Sequence, residues 1–180
     1  MWAVARSVSS VLGLGGSLAA ASVLVLLGAC AAGPELQRFP HYGFELAVPA
    51  GWAVEASPDG ADGALFLALG EAASGAEDTR PFVTCRPQRT GGVQWVMERL
   101  LMVSSLRERD AEFSTFEPYA AGGLQGYAFS LYRPGDDLHV DYVGFDHEGT
   151  AVVCTWGYRS PEQARMEASR ATLREIRSAE

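Results

Sequence analysis

The chain has 180 residues, 14 Lys+Arg against 22 Asp+Glu, a formal charge of −8 and 48% hydrophobic residues. That length allows one domain with a proper core. The acidic balance argues against nucleic acid as a partner, because affinity there comes mostly from neutralising phosphates.

Arg6 is the only charged side chain before Glu35, and Val8 to Ala29 contains only Val, Leu, Ala, Gly and Ser. A short basic start, an apolar stretch and then small residues read as a secretory signal. The run is long enough to span a membrane as a helix, but glycine costs about 1 kcal/mol per helical position, so this is a poor permanent span. Leu27-Gly28-Ala29-Cys30 resembles the lipobox of bacterial lipoproteins. In that motif the small residues admit a peptidase, and the thiol accepts a diacylglyceryl group. The resemblance implies that residues 1–29 are a lipoprotein signal peptide, removed at Ala29, and that Cys30 is the lipidated first residue of the mature chain.

A domain this acidic gains nothing from anionic headgroups, so the expected membrane contact is the lipid on Cys30 itself. Each buried methylene contributes about 0.8 kcal/mol, and two or three acyl chains, palmitate among them, hold stably. Ala31 rather than an aspartate follows the cysteine. By the same resemblance, the protein sits in the cell envelope: on the outer membrane facing the periplasm in a diderm, or on the outer face of the plasma membrane in a monoderm. Every one of the basic residues is arginine, a mark of a high-GC genome, which does not separate the two hosts.

Residues 30–40 read as a lipidated tether and residues 41–178 as the domain. Tyr42 to Trp52 alternates in the manner of a strand (Phe44, Leu46, Val48) and is broken by Pro49-Ala50-Gly51. Residues 57–63 read as a turn. Ala64 to Leu69 is a continuous apolar run, expected to be a strand buried on both faces. Residues 70–80 form a loop, and Phe82 to Arg86 is a third strand, ended by Pro87. The period then changes: Val93, Val96, Met97, Leu100 and Ser104 predict a helix from about Gly92 to Glu108, with Trp95 and Met102 widening its packed surface.

Strands resume at Phe113. Gly122-Gly123 and Pro134-Gly135-Asp136-Asp137 are turns, and Tyr127, Phe129 and Leu131 share one side between them. Leu138, Val140 and Tyr142 alternate with His139 and Asp141, while Val143 and Phe145 fall out of that phase, which predicts a bulge near Tyr142. Asp146-His147-Glu148-Gly149 is a hairpin turn, and Val152, Cys154, Trp156 and Tyr158 share a face of the next strand. Ser160, Pro161 and Gln163 announce a last helix with a capping box, whose stripe is Met166, Ser169, Leu173 and Ile176.

The opening Tyr42-Gly43-Phe44-Glu45-Leu46-Ala47-Val48-Pro49-Ala50-Gly51-Trp52 resembles the first strand of PsbP/Mog1-like domains. The closing Leu173-Arg174-Glu175-Ile176-Arg177-Ser178 resembles that family's last helix. The likeness covers most of residues 39–178 in element order. It implies an α+β fold: an α/β/α sandwich with a central antiparallel sheet of about six strands and helices on both faces. It implies little about chemistry, since a fold is not a function.

With Cys30 acylated, Cys85 and Cys154 remain, an even pair in an oxidising compartment. Two readings stand, a disulfide closing a long loop or two buried free thiols, because sequence supplies no distance. Neither cysteine has the electropositive setting of a reactive thiol, and no serine sits in a Gly-x-Ser-x-Gly elbow. His139, Asp141 and His147, in a strand and the following hairpin, are weak candidate metal ligands, set against ordinary solvated polar positions. Asp136-Asp137 and Glu77-Asp78 are turn carboxylates. Arg86, Arg89, Arg99, Arg107 and Arg109 form either an anion or partner patch or, with Glu98, Glu108 and Asp110, a salt-bridged surface, which is the expected arrangement.

The resulting expectation is a membrane-anchored envelope lipoprotein, a non-catalytic binding or assembly-factor domain with an envelope protein as partner and no cofactor. The alternatives are a small metal-dependent periplasmic enzyme built on His139, Asp141 and His147, or a small-ligand binder with an aromatic cleft.

Overall fold

Residues 34–56, 64–71, 80–89 and 91–176 are described by the computed structural model; the signal segment, the lipobox and Cys30 lie outside them. The described strands are β1 (Glu35–Phe39), β2 (Phe44–Val48), β3 (Ala53–Ala56), β4 (Phe66–Leu69), β5 (Phe82–Gln88), β6 (Glu112–Phe113), β7 (Glu117–Ala121), β8 (Leu124–Arg133), β9 (Leu138–His147), β10 (Thr150–Arg159) and β11 (Arg174–Glu175). The helices are α1 (Val93–Arg107) and α2 (Gln163–Ala171). A large antiparallel sheet runs β3-β4-β5-β10-β9-β8-β6, with β7 also on β8, and a small one runs β1-β2-β11. The fold is thus mixed α+β around an antiparallel sheet as expected, but that sheet has eight strands rather than six. One face carries α1; the other carries α2 together with the small sheet.

Local chemistry explains the hairpins. The β7–β8 turn places Gly122 and Gly123 at φ 60° and 87°, and the β9–β10 turn places Glu148 and Gly149 at φ 50° and 81°. Two consecutive positive φ values are what a tight two-residue hairpin needs to match strand twist. Asp146 Oδ1 accepts the Gly149 N–H at 3.1 Å to close the second turn.

Several expectations are overturned. Glu35–Phe39 is a strand on β2 rather than tether, because β2 needs a partner on each edge. Pro87 lies inside β5, opposite Val152. Past Cys85, β5 has β10 as its only neighbour among the described strands, and a proline without its N–H is tolerated there. No bulge interrupts β9: its pairing with β10 is continuous from Leu138↔Arg159 to His147↔Thr150. Both phases of β9 are apolar because both faces are covered. Val143 and Phe145 enter the larger core with Phe44, Leu46, Trp156 and Met166, while Tyr142 packs under α1 with Phe129, Met97 and Val153. Gly144 makes room for that helix, since a Cβ there would lie 2.5 Å from Met97 Sδ.

The capping box does not form. Ser160–Glu162 is a short 3-10 turn with no side-chain cap on α2, and Ser160 bonds Asp137 instead. Nor does the last helix reach Ser178. It stops at Ala171, and Arg174–Glu175 adds a strand to β2.

That last strand completes a cross-strand trio. Glu45, only 3% exposed in the centre of the small sheet, lies opposite Arg38 of β1 and Arg174 of β11 and accepts from both, the second at 2.6 Å. The hydrogen bond from Arg38, then that from Arg174, hold its carboxyl below the ordinary value of 4.5. A depressed folded-state pKa contributes stability that is fully present above pH 4.5 and is lost as pH falls through the lower, folded value. Glu45→Gln is therefore expected to lower the thermal midpoint at neutral pH and to flatten its decline in acid. Coincident acid-unfolding curves for the two proteins would contradict this.

Candidate binding groove

α1 rests on β8, β9 and β10 through Val96 and Met97 against Phe129, Ala151 and Val153, so no described element covers β5 on that face. A groove of about 690 Å³ runs between them. In β5 the pleat sends Val83 and Cys85 into the core, and Phe82, Thr84, Arg86 and Gln88 into the groove. The α1 wall supplies Trp95, Arg99, Val103 and Arg107, and Thr155 and Tyr142 form part of the floor. Burial pushes the Tyr142 phenol above its ordinary value.

Among the described residues, no carboxylate lines this groove. Among the described residues, the arginine–carboxylate pairs use Arg38, Arg133, Arg165, Arg170 and Arg174, and none uses Arg86, Arg99 or Arg107. The expected salt-bridged surface is not what forms. Glu108 is drawn to Arg133 at 2.9 Å, Arg133 also holds the Asp136 carboxyl below its usual range, and Glu98 accepts from Gln94. Arg99 lies over the Trp95 ring instead, its Cζ 5.2 Å from the centroid, a cation–π arrangement. Trp95 (49% exposed), Met102 (56%) and Leu106 (69%) stand in solvent beside it. Sequence reasoning placed Trp95 and Met102 in the packed surface of α1 and so missed this patch. Its signal was the spacing Trp95, Arg99, Met102, Leu106, one helical stripe in its own right.

The residues singled out as metal ligands are not brought together. Asp141 is buried, accepts from the Tyr158 hydroxyl at 2.9 Å and forms an ion pair with Arg170 of α2, also at 2.9 Å. Burial, then the neighbouring Asp141 charge, pushes the Tyr158 phenol up. His139 is stacked between Tyr132 and Tyr158, with ring centroids 4.4 and 5.2 Å away. His147 lies eight residues further along β9, about 26 Å away at strand rise, with its ring over Gly43. No group of three such side chains among the described residues has metal-binding spacing.

Ser160, His139 and Asp137 meet, but not as a proton relay. In a relay the acid and the hydroxyl sit on opposite ring nitrogens. Here Ser160 donates directly to Asp137 at 2.6 Å, and His139 Nε2 lies 3.2 Å from the same hydroxyl. The Ser160 hydroxyl and N–H together hold the Asp137 carboxyl below its ordinary range. The trio ties the β8–β9 turn to the start of the α2 segment. Cys85 and Cys154, directly opposite in β5 and β10, are joined in a disulfide with Cα atoms 4.0 Å apart. Both are fully buried.

No family model matches the chain, and no curated protein does. Among solved structures it is similar to the cyanobacterial PsbP protein, CyanoP, of Synechocystis sp. PCC 6803. The identity is 14% and the TM-score 0.55, over 83% of this chain and 96% of that one. Looser likenesses are to PA94 of Pseudomonas aeruginosa, a protein of unknown function (12% identity, TM-score 0.48, 81% and 99% covered), and to LpqN of Mycobacterium tuberculosis, involved in cell envelope biogenesis (11%, 0.42, 80% and 86%). The CyanoP likeness, at that identity, speaks of architecture alone: this domain has a PsbP-like fold.

Proposed function

We propose that the chain is a lipid-anchored protein of the bacterial cell envelope whose PsbP-like domain is a non-catalytic binding or assembly module for a protein partner. One observation carries the binding part. The side chains with catalytic potential, His139, Asp141 and Ser160, are engaged in bonds and stacks that hold β8, β9, β10 and α2 together, whereas on the α1 face no described carboxylate pairs with Arg99 or Arg107 and the large apolar side chains stand in water. Trp, Met and Arg are the residues enriched at interfaces.

The anchoring part rests on Leu27-Gly28-Ala29-Cys30. No helix among the described residues is long and apolar enough to cross a membrane. Intact mass of the protein from native membranes tests it: the expected species begins at Cys30 and carries acyl chains, and Cys30→Ala abolishes both the acyl mass and the membrane attachment. An unlipidated species that retains residues 1–29 would refute the anchor. The groove volume also lies in the range of small-ligand sites; a thermal shift with anionic envelope metabolites addresses that second reading.

A further inference from the structure

We infer, resting on the partner-binding reading above, that the groove between α1 and β5 takes an extended acidic segment of the partner protein, with an apolar side chain between two carboxylates. Charge is the first reason. In a chain of net charge −8, Arg86, Arg99 and Arg107 converge on one groove with no carboxylate among its described lining. Guanidinium forks match carboxylates in paired hydrogen bonds.

Spacing is the second. Arg99, Val103 and Arg107 follow one another at four-residue intervals along the groove wall, about 6 Å per step at helical rise. Alternate residues of an extended chain are about 6.6 Å apart. A segment reading acidic, any, apolar, any, acidic therefore sets a carboxylate on Arg99, an apolar side chain on Val103 and a second carboxylate on Arg107. Opposite them, Phe82, Thr84, Arg86 and Gln88 repeat at the same strand interval. Trp95, Met102 and Leu106 extend the contact onto the outer side of α1.

Position favours a protein over anionic lipid headgroups. The described chain begins at Pro34 and enters β1, in the layer on the far side of the large sheet from α1. If Cys30 carries the lipid, four residues reach about 14 Å at full extension. A tether of that length starts from the β1 layer, and the groove lies on the opposite face of the large sheet.

The test is site-specific photocrosslinking of the full-length protein in its own envelope, with benzoylphenylalanine in place of Met102 or, separately, of Leu106. The expected adduct is a protein peptide of net negative charge containing the acidic-x-apolar-x-acidic pattern. Its yield falls about tenfold or more with the double variant Arg99→Gln/Arg107→Gln and is unchanged by Arg165→Gln on α2. Both groove arginines are exposed, and an unchanged thermal midpoint checks that the double variant is folded. A lipid adduct, a neutral or basic peptide, or a yield indifferent to the arginines overturns the inference. A probe at exposed Leu36 of β1 separates the two levels. A partner captured there and not at α1 overturns the groove but keeps the partner-binding reading, and no protein adduct from any of the three positions overturns both.

Discussion

Replacing Cys85 and Cys154 together by alanine is expected to lower the unfolding free energy by about 4 kcal/mol. The bond joins β5 to β10 across a sequence separation of 69, and in the chain-entropy account the cost of leaving a loop of that length open in the unfolded state is of this size. The site adds to it. Both half-cystines are fully buried and lie in the larger core beside Phe66, Val83 and Trp156, so the alanines also leave small voids. With a urea dependence of about 2 kcal/mol/M, typical of a domain this size, the midpoint falls by about 2 M. Burial has a kinetic consequence as well. Under native conditions a thiol reductant reaches the sulfurs only when the strands part, so reduction should keep pace with unfolding of the sheet. A double variant whose midpoint matches the parent, or a bond reduced faster than the core amides exchange, would refute this account.

Trp156→Ala is expected to cost about 3–5 kcal/mol. Trp156 is fully buried and sits where β10, the small sheet and α2 meet. Its indole N–H donates to Ser169 Oγ at 3.3 Å, and that hydroxyl donates in turn to the Ala47 carbonyl at 2.7 Å. Thr172 Oγ1 accepts the Ala47 N–H, also at 2.7 Å. β11 pairs with β2 only at Phe44 and Glu45, so the end of α2 takes over as hydrogen-bond neighbour where the strand stops. Removing the indole opens the cavity beside that substitute edge. Trp156→Phe keeps most of the volume and leaves Ser169 its bond to Ala47, so about 1 kcal/mol is expected for the lost donor. Urea titrations of the two variants separate cavity from hydrogen bond; equal losses would mean that packing is not the larger of the two.

The groove was half legible in advance. Arg86, Arg99 and Arg107 stood out in sequence, but their neighbours Glu98, Glu108 and Asp110 suggested mutual neutralisation. Pairing is decided by direction and reach. Glu108 at the end of α1 turns to Arg133 of β8, and the pleat sends Arg86 to the same side as the helix arginines. His139 and Asp141 show the converse. Their alternation with Val140 and Tyr142 looked like the wet face of a two-faced strand, yet that face is covered by α2, where Arg170 meets Asp141 at 2.9 Å.

Features that depend on neighbours along the chain were readable from the residues alone. The glycines set the β7–β8 turn, alternation set β8 and β10, and the 3.6-residue period set α1 to within a residue at each end. Two cysteines after Cys30 admitted a bond without requiring it. Features that depend on what lies above a face came from the packing of distant segments. That packing made Glu35–Phe39 a strand, drew Arg174–Glu175 onto β2, hid Asp141, brought Cys85 opposite Cys154, and left Trp95 and Met102 outside. The physical reason is the same in each case. Periodicity says which side chains share a side, whereas burial depends on whether a second layer covers that side, and that layer comes from residues far away in the chain.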